Sequence, residues 1–120
     1  MVFRVLDSSA FYAGIPFSSK EPSYITSLVY DEIKHIKKDH DAISILIETK
    51  RLTISDPEDK FTTAAKDAAK KSGDFPNLSQ EDISTIALSL QLEAELITDD
   101  FTVSNVAKNL TSTKQAFEKN

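Results

Sequence analysis

An α/β domain with a mostly parallel sheet flanked by helices is the fold this sequence predicts, and three observations predict it. Short apolar runs at Val2 to Leu6, Leu52 to Ile54 and Leu96 to Ile97 alternate with longer stretches whose apolar residues recur every three or four positions. The resulting order is strand, helix, helix, short helix, strand, helix, helix, strand, helix, the pattern of parallel strands joined through covering helices. Two of the runs lead to aspartates, Asp7 and Asp100, each placed to open a helix. With 120 residues the chain can bury one core and is too short for two.

The first strand passes at Asp7 into a helical pattern, Ser8 to Tyr12, that stops near Gly14 and Pro16. A polar loop over Phe17 to Pro22 leads to a helix expected from Tyr24 to Lys38, with Ile25, Leu28, Val29, Ile33 and Ile36 on one face. At about 100° per residue these positions span an arc of roughly 140°, and Glu32 falls near its middle. A carboxylate there is costly unless it meets a cation, a donor or a water-filled cleft. The segment Lys34 to Asp41 reads as a solvated helix end with no assigned chemistry.

Ile43, Leu46 and Ile47 suggest a short helix before the strand Leu52 to Ile54. Asp56 and Pro57 then read as the N-cap and first residue of a helix that carries Phe61, Ala64, Ala65, Ala68 and Ala69 and ends at Gly73. The clearest helix is Asn77 to Ala94. Its N-cap is Ser79, its acidic capping partner Asp82, and its buried face Ile83, Ile86, Ala87, Leu90 and Ala94. After the strand at Leu96 and Ile97, Asp100 caps a last helix marked by Val103, Val106, Ala107 and Leu110. Residues 1–110 are expected to form the domain and 111–120 a polar C-terminal tail.

Composition narrows the function. Without cysteine there is no disulfide framework and no thiolate zinc site, and His35 and His40 make a poor metal pair. No secretory or membrane-spanning apolar run is visible, so a cytoplasmic location with no membrane partner is expected. The net charge of −5 argues against binding nucleic acid as a simple polycation. It does not exclude a nuclease, because metal-binding acids add negative charge that bound cations offset.

Right-handed crossovers place strand C-termini on one edge, which brings Asp7 and Asp100 together, and that edge is where ligands bind in open α/β sheets. Glu32 and Asp82, on the inner sides of helices, complete a set of four acids. The words that carry them are Val5-Leu6-Asp7-Ser8-Ser9-Ala10-Phe11, Thr26-Ser27-Leu28-Val29-Tyr30-Asp31-Glu32-Ile33, Leu78-Ser79-Gln80-Glu81-Asp82 with Ile86-Ala87-Leu88, and Leu96-Ile97-Thr98-Asp99-Asp100-Phe101. Four such words in this order, from Val2 to about Leu110, resemble the PIN-domain endonucleases. The stretch Thr98 to Ala107, with its Asn105-Val106-Ala107 continuation, looks most like the archaeal and eukaryotic Nob-type branch, which cleaves precursor small-subunit rRNA at its 3′ end. VapC toxins share the acids but are more distant. Nob-type proteins carry a zinc ribbon after the PIN domain, and this cysteine-free chain reads as either a stand-alone relative or an excised domain.

The resemblance implies that Asp7, Glu32, Asp82 and Asp100 form an acidic quartet, with Ser9 and Thr98 as supporting hydroxyls and Asp99 as a solvent-facing turn residue. Carboxylates held close repel one another, and magnesium or manganese would remove that penalty. The expected chemistry is metal-dependent hydrolysis of an RNA phosphodiester, leaving a 5′ phosphate and a 3′ hydroxyl. Asp7, Asp82 and Asp100 would be the main ligands, with Glu32 binding a second ion or orienting the attacking water. The implied partner is RNA, as pre-rRNA or the small ribosomal subunit, and homodimerisation is left open. The runs Lys34 to Lys38 and Lys66 to Lys71 are the candidate flanking cations.

Three rival readings differ in class or target. One is a VapC-like toxin ribonuclease. Another is a non-catalytic PIN-like module binding RNA or a ribosome-assembly partner, against which the complete quartet speaks. The third, a phosphoacceptor receiver domain, needs a central acceptor aspartate and a later lysine; Ser55-Asp56-Pro57 leads into a helix and no suitable lysine word follows.

Overall fold

A computed structural model describes residues 3–18, 21–36 and 40–118 of the chain. Four short strands make one sheet: β1 (Arg4–Leu6), β2 (Ser23–Ile25), β3 (Leu52–Ile54) and β4 (Glu95–Ile97). All pair in parallel in the order β3-β2-β1-β4, with Val5 beside both Tyr24 and Leu96. Parallel strands need crossovers, and the helices supply them: α1 (Ser8–Tyr12), α2 (Ile15–Ser18), α3 (Ser27–Ile33), α4 (His40–Glu48), α5 (Asp59–Ser72), α6 (Gln80–Leu92) and α7 (Phe101–Glu118). The α/β reading holds, and the carboxyl ends of β1, β2 and β4 all open towards the same edge.

The strand β2 departs from the expected order. Tyr24 and Ile25 belong to this strand and not to the helix expected from Tyr24 to Lys38, because a three-residue strand abutting a helix leaves no alternation to read. Pro22 and the N-cap Thr26, which accepts a bond from the Val29 amide at 3.3 Å, mark the true boundaries. Ile25 therefore belongs to the sheet and Ile36 lies beyond α3. The wide apolar arc dissolves, leaving Val29 and Ile33 as the buried stripe and Glu32 on the exposed side. Lys37, Lys38 and Asp39, within the expected solvated end, lie outside the described residues.

A second correction concerns Asp56. It does not cap α5, whose N-cap is Glu58 without a side-chain bond. Instead Asp56 Oδ1 accepts from the amide and the hydroxyl of Ser27, both at 2.9 Å. Ser27 is the first residue of α3, so its amide is one of the donors a helix leaves unpaired, and Asp56 caps that helix from a different loop. Gly73 closes α5 at φ 81°, a left-handed C-cap that suits a residue without a Cβ. Residues 111–118, expected as a tail, continue α7 as helical backbone.

Alternation along the strands divides the core. Leu6, Ile25 and Ile97 meet α1, α3 and α4 through Phe11, Val29, Ile33, Ile43 and Leu46. Leu96, on the opposite face, joins Ala65, Ala69, Ile83, Ile86, Ala87, Val103 and Val106 of α5, α6 and α7. Alanines on α5 let that helix approach α6 closely. Seven consecutive residues of α6, Ile83 to Ser89, are buried, so this helix forms an inner wall of the domain. Among the described residues no helix is long and apolar enough to cross a membrane.

Candidate active site

Asp7 stands at the junction of β1 and α1 and is only 5% exposed. Its burial is offset by donors from two distant parts of the chain. Oδ1 accepts from the Ala10 amide at 3.2 Å and the Ser9 hydroxyl at 2.6 Å, and Oδ2 accepts from the Thr98 hydroxyl. The supporting hydroxyls expected from the sequence thus both hold Asp7. The N-cap role and the site position coincide, because a helix N-terminus at a strand end presents amides to any acid placed there.

The loop after β4 is tied to this carboxylate. The Asp99 amide donates to Ser9 Oγ at 2.9 Å, and the Asp100 amide donates to Thr98 Oγ1 at 3.0 Å. Asp100 Oδ1 in turn accepts from the amides of Thr102 at 2.9 Å and Val103 at 3.4 Å, capping α7. Asp99 and Asp100 are both exposed.

A second group of acids lies between α3 and α6. Burial pushes the Glu81 carboxyl up from the ordinary 4.5 to about 7, and a hydrogen bond shared with Glu32 adds to the rise. The charges of Glu32 and Asp82 act in the same direction, while a hydrogen bond from the Ser8 hydroxyl opposes it. Ser8 follows Asp7 directly. The site is therefore continuous from Asp100 through Thr98, Asp7, Ser8 and Glu81 to Glu32. Asp82 engages Oδ2 with the Ser79 amide at 2.9 Å while Ser79 Oγ accepts from the Asp82 amide at 3.1 Å, the reciprocal capping box expected for α6.

Glu81 is the site residue that sequence reasoning passed over. Its signal is present: Glu81, Ser84, Thr85 and Leu88 recur at helical spacing, and the last three are buried on the side of α6 facing β1 and α3. Thr26 Oγ1 and Ser84 Oγ, 2.8 Å apart and buried, fasten α3 to α6 on that side and set Glu32 opposite Glu81.

The donors are carboxylate and hydroxyl oxygens alone, the chemistry of a hard divalent cation. Asp82 and Asp100 each commit one oxygen to a helix cap, and Asp7 Oδ2 accepts a single bond, so all three retain acceptor capacity. The opposed pair Glu32 and Glu81 is a repulsion that a cation would relieve. Among the described residues, however, no three acids stand close enough to share one ion in this side-chain arrangement. The oxygen donors are thus of the type such a cation takes, but they are not gathered into one shell.

A family model described as the PIN domain of ribonuclease matches residues 4–92. The chain belongs to the PIN domain family. Its PIN fold is 35% identical over 106 residues to Endoribonuclease Nob1 of Pyrococcus abyssi, covering 88% of this chain and 63% of that protein. Against Endoribonuclease Nob1 of Methanocaldococcus jannaschii it is 37% identical over 111 residues, covering 92% of this chain and 54% of the other. Ribonuclease VapC1 of Thermoplasma acidophilum is 35% identical over 78 residues, 65% of this chain and 40% of the other. The PIN domain thus spans little more than half to under two thirds of the two Nob1 relatives' lengths.

Proposed function

We propose that this PIN domain is a metal-dependent endoribonuclease, and that its substrate is the 3′ end of precursor small-subunit rRNA. The observation that supports the reading is a buried Asp7 at the end of β1, tied through Thr98 and Ser9 to the turn that carries Asp100, within a chain of this family. Likeness to the Nob1 endoribonucleases supports the choice of RNA target over that of a toxin.

Asp7, Asp82 and Asp100 would hold magnesium or manganese, with Glu32 beside them. When bound, such an ion supplies a water of lowered pKa and neutralises charge on the phosphate. The chain's own contribution is positional. Ser9 and Thr98 fix the Asp7 carboxylate, and the amide-capped turn at Asp100 fixes the opposite side. Glu81, lifted to about 7, would change its protonation in the working range and so serve as the proton acceptor for an attacking water, with Glu32 beside it.

The deciding experiment incubates the chain with a pre-rRNA fragment spanning the mature 3′ end, with manganese and with EDTA. Cleavage at one site that requires the metal and is lost in Asp7→Asn supports the reading. Metal-independent binding without cleavage would favour a non-catalytic module, and cleavage of other RNAs in preference would favour the toxin-like reading.

A further inference from the structure

Phe101 is 83% exposed, the most exposed large apolar side chain among the described residues. It opens α7 directly after Asp100, on a turn fixed by the bonds to Thr98 Oγ1, Ser9 Oγ and Asp100 Oδ1. Nothing in the packing asks for an aromatic there. The buried side of α7 is carried by Val103 and Val106. Asn105 and Lys108, four and seven residues further on, are also exposed. Positions at that spacing share one helix face, so an aromatic ring, an amide and a cation form a stripe. At 1.5 Å per residue it runs about 10 Å away from the acids.

We propose that this stripe is the track for the RNA strand next to the scissile phosphate, an inference that rests on the nuclease reading above. Phe101 stacks on a nucleobase, Asn105 hydrogen bonds a base edge, and Lys108 meets a phosphate. With a net charge of −5 the overall field repels a polyanion, so contacts indifferent to that field must add to the few phosphate contacts available. Base stacking on an aromatic ring is one, contributing about 1–3 kcal/mol per base whatever the base. A single ring flanked by an amide and a cation also lacks the contiguous apolar area that an apolar protein partner would cover. The Asn105-Val106-Ala107 word is thereby divided: Val106 serves the core, and Asn105 serves the track.

The chain contains no tryptophan, so Phe101→Trp installs a sole indole reporter. Titration with single-stranded oligoadenylate in EDTA at low salt should quench its fluorescence saturably. Phe101→Ala should weaken binding of the same oligonucleotide by about 5-fold to 150-fold without changing the melting temperature. Lys108→Ala should flatten the salt dependence by about one phosphate contact. Unquenched fluorescence, or unchanged affinity in Phe101→Ala, would overturn the track even if the wild type cleaves RNA. Quenching and lost affinity without any manganese-dependent cleavage would uphold the track and count against the nuclease reading instead.

Discussion

The carboxyl of Glu81, in the first turn of α6, lies against that of Glu32 in the second turn of α3, and burial together with this neighbour lifts it from 4.5 to about 7. Two acids that close can share a hydrogen bond only while one of them keeps a proton. Between the ordinary 4.5 and about 7 the folded chain therefore holds a proton on this pair that the unfolded chain has released. The associated stability is fully present below about 4.5 and declines as pH rises through about 7. Glu81→Gln keeps a neutral partner for Glu32, so its stability should decline less over that window and exceed the wild type above it. Urea unfolding on both sides of the window tests this, and parallel curves for the two proteins would contradict the shared proton.

A divalent cation should act on the same pair from the other direction. Manganese at the acids favours ionised carboxylates and should raise the melting temperature more above pH 7 than below 4.5, where protons compete. Calorimetry with and without EDTA reads the difference, and an equal shift at both extremes would place the metal elsewhere.

Asp7 and Asp100 separate chemistry from folding in different ways. Asp100→Asn keeps an oxygen for the α7 cap and lies in an exposed turn, so cleavage should vanish with stability almost unchanged. Asp7→Asn replaces one acceptor of a buried carboxylate with a donor facing hydroxyl or amide donors, and should also cost about 1–3 kcal/mol. Retained cleavage in both variants would remove the quartet from the reaction.

Ser79 offers a control for Asp82. Ser79→Ala removes the hydroxyl half of the capping box and should cost about 1 kcal/mol while leaving the Asp82 carboxylate and cleavage in place. Asp82→Asn should lose cleavage. If the two variants lose activity equally, Asp82 acts through the helix start alone.

The sequence carried those parts of the architecture that local chemistry decides. Asp7, Ser79 and Asp100 each read as an N-cap, and each is one, because a cap needs only an acceptor and the amides that follow it. The strand at Ser23 to Ile25 and the pairing of Asp56 with Ser27 were not legible, since three residues show no period and a cap supplied from another loop has no sequence spacing. Glu32 was noticed for the wrong environment: it faces an acid across a solvent-lit edge, not a core. Glu81 stayed hidden because its partner depends on the Thr26 to Ser84 contact between two helices.

The buried wall of α6 has an evolutionary corollary. Its hydroxyls mostly satisfy themselves on their own helix: Ser84 and Thr85 bond the Glu81 carbonyl at 2.7 and 3.0 Å, and Ser89 the Ile86 carbonyl at 2.7 Å. Ser89 can drift to alanine without orphaning any partner, since the carbonyl it touches already belongs to the helix ladder. Ser84 cannot drift so freely, because Thr26 would lose its counterpart. Within one buried helix, two serines of identical chemistry should differ in how well they tolerate alanine.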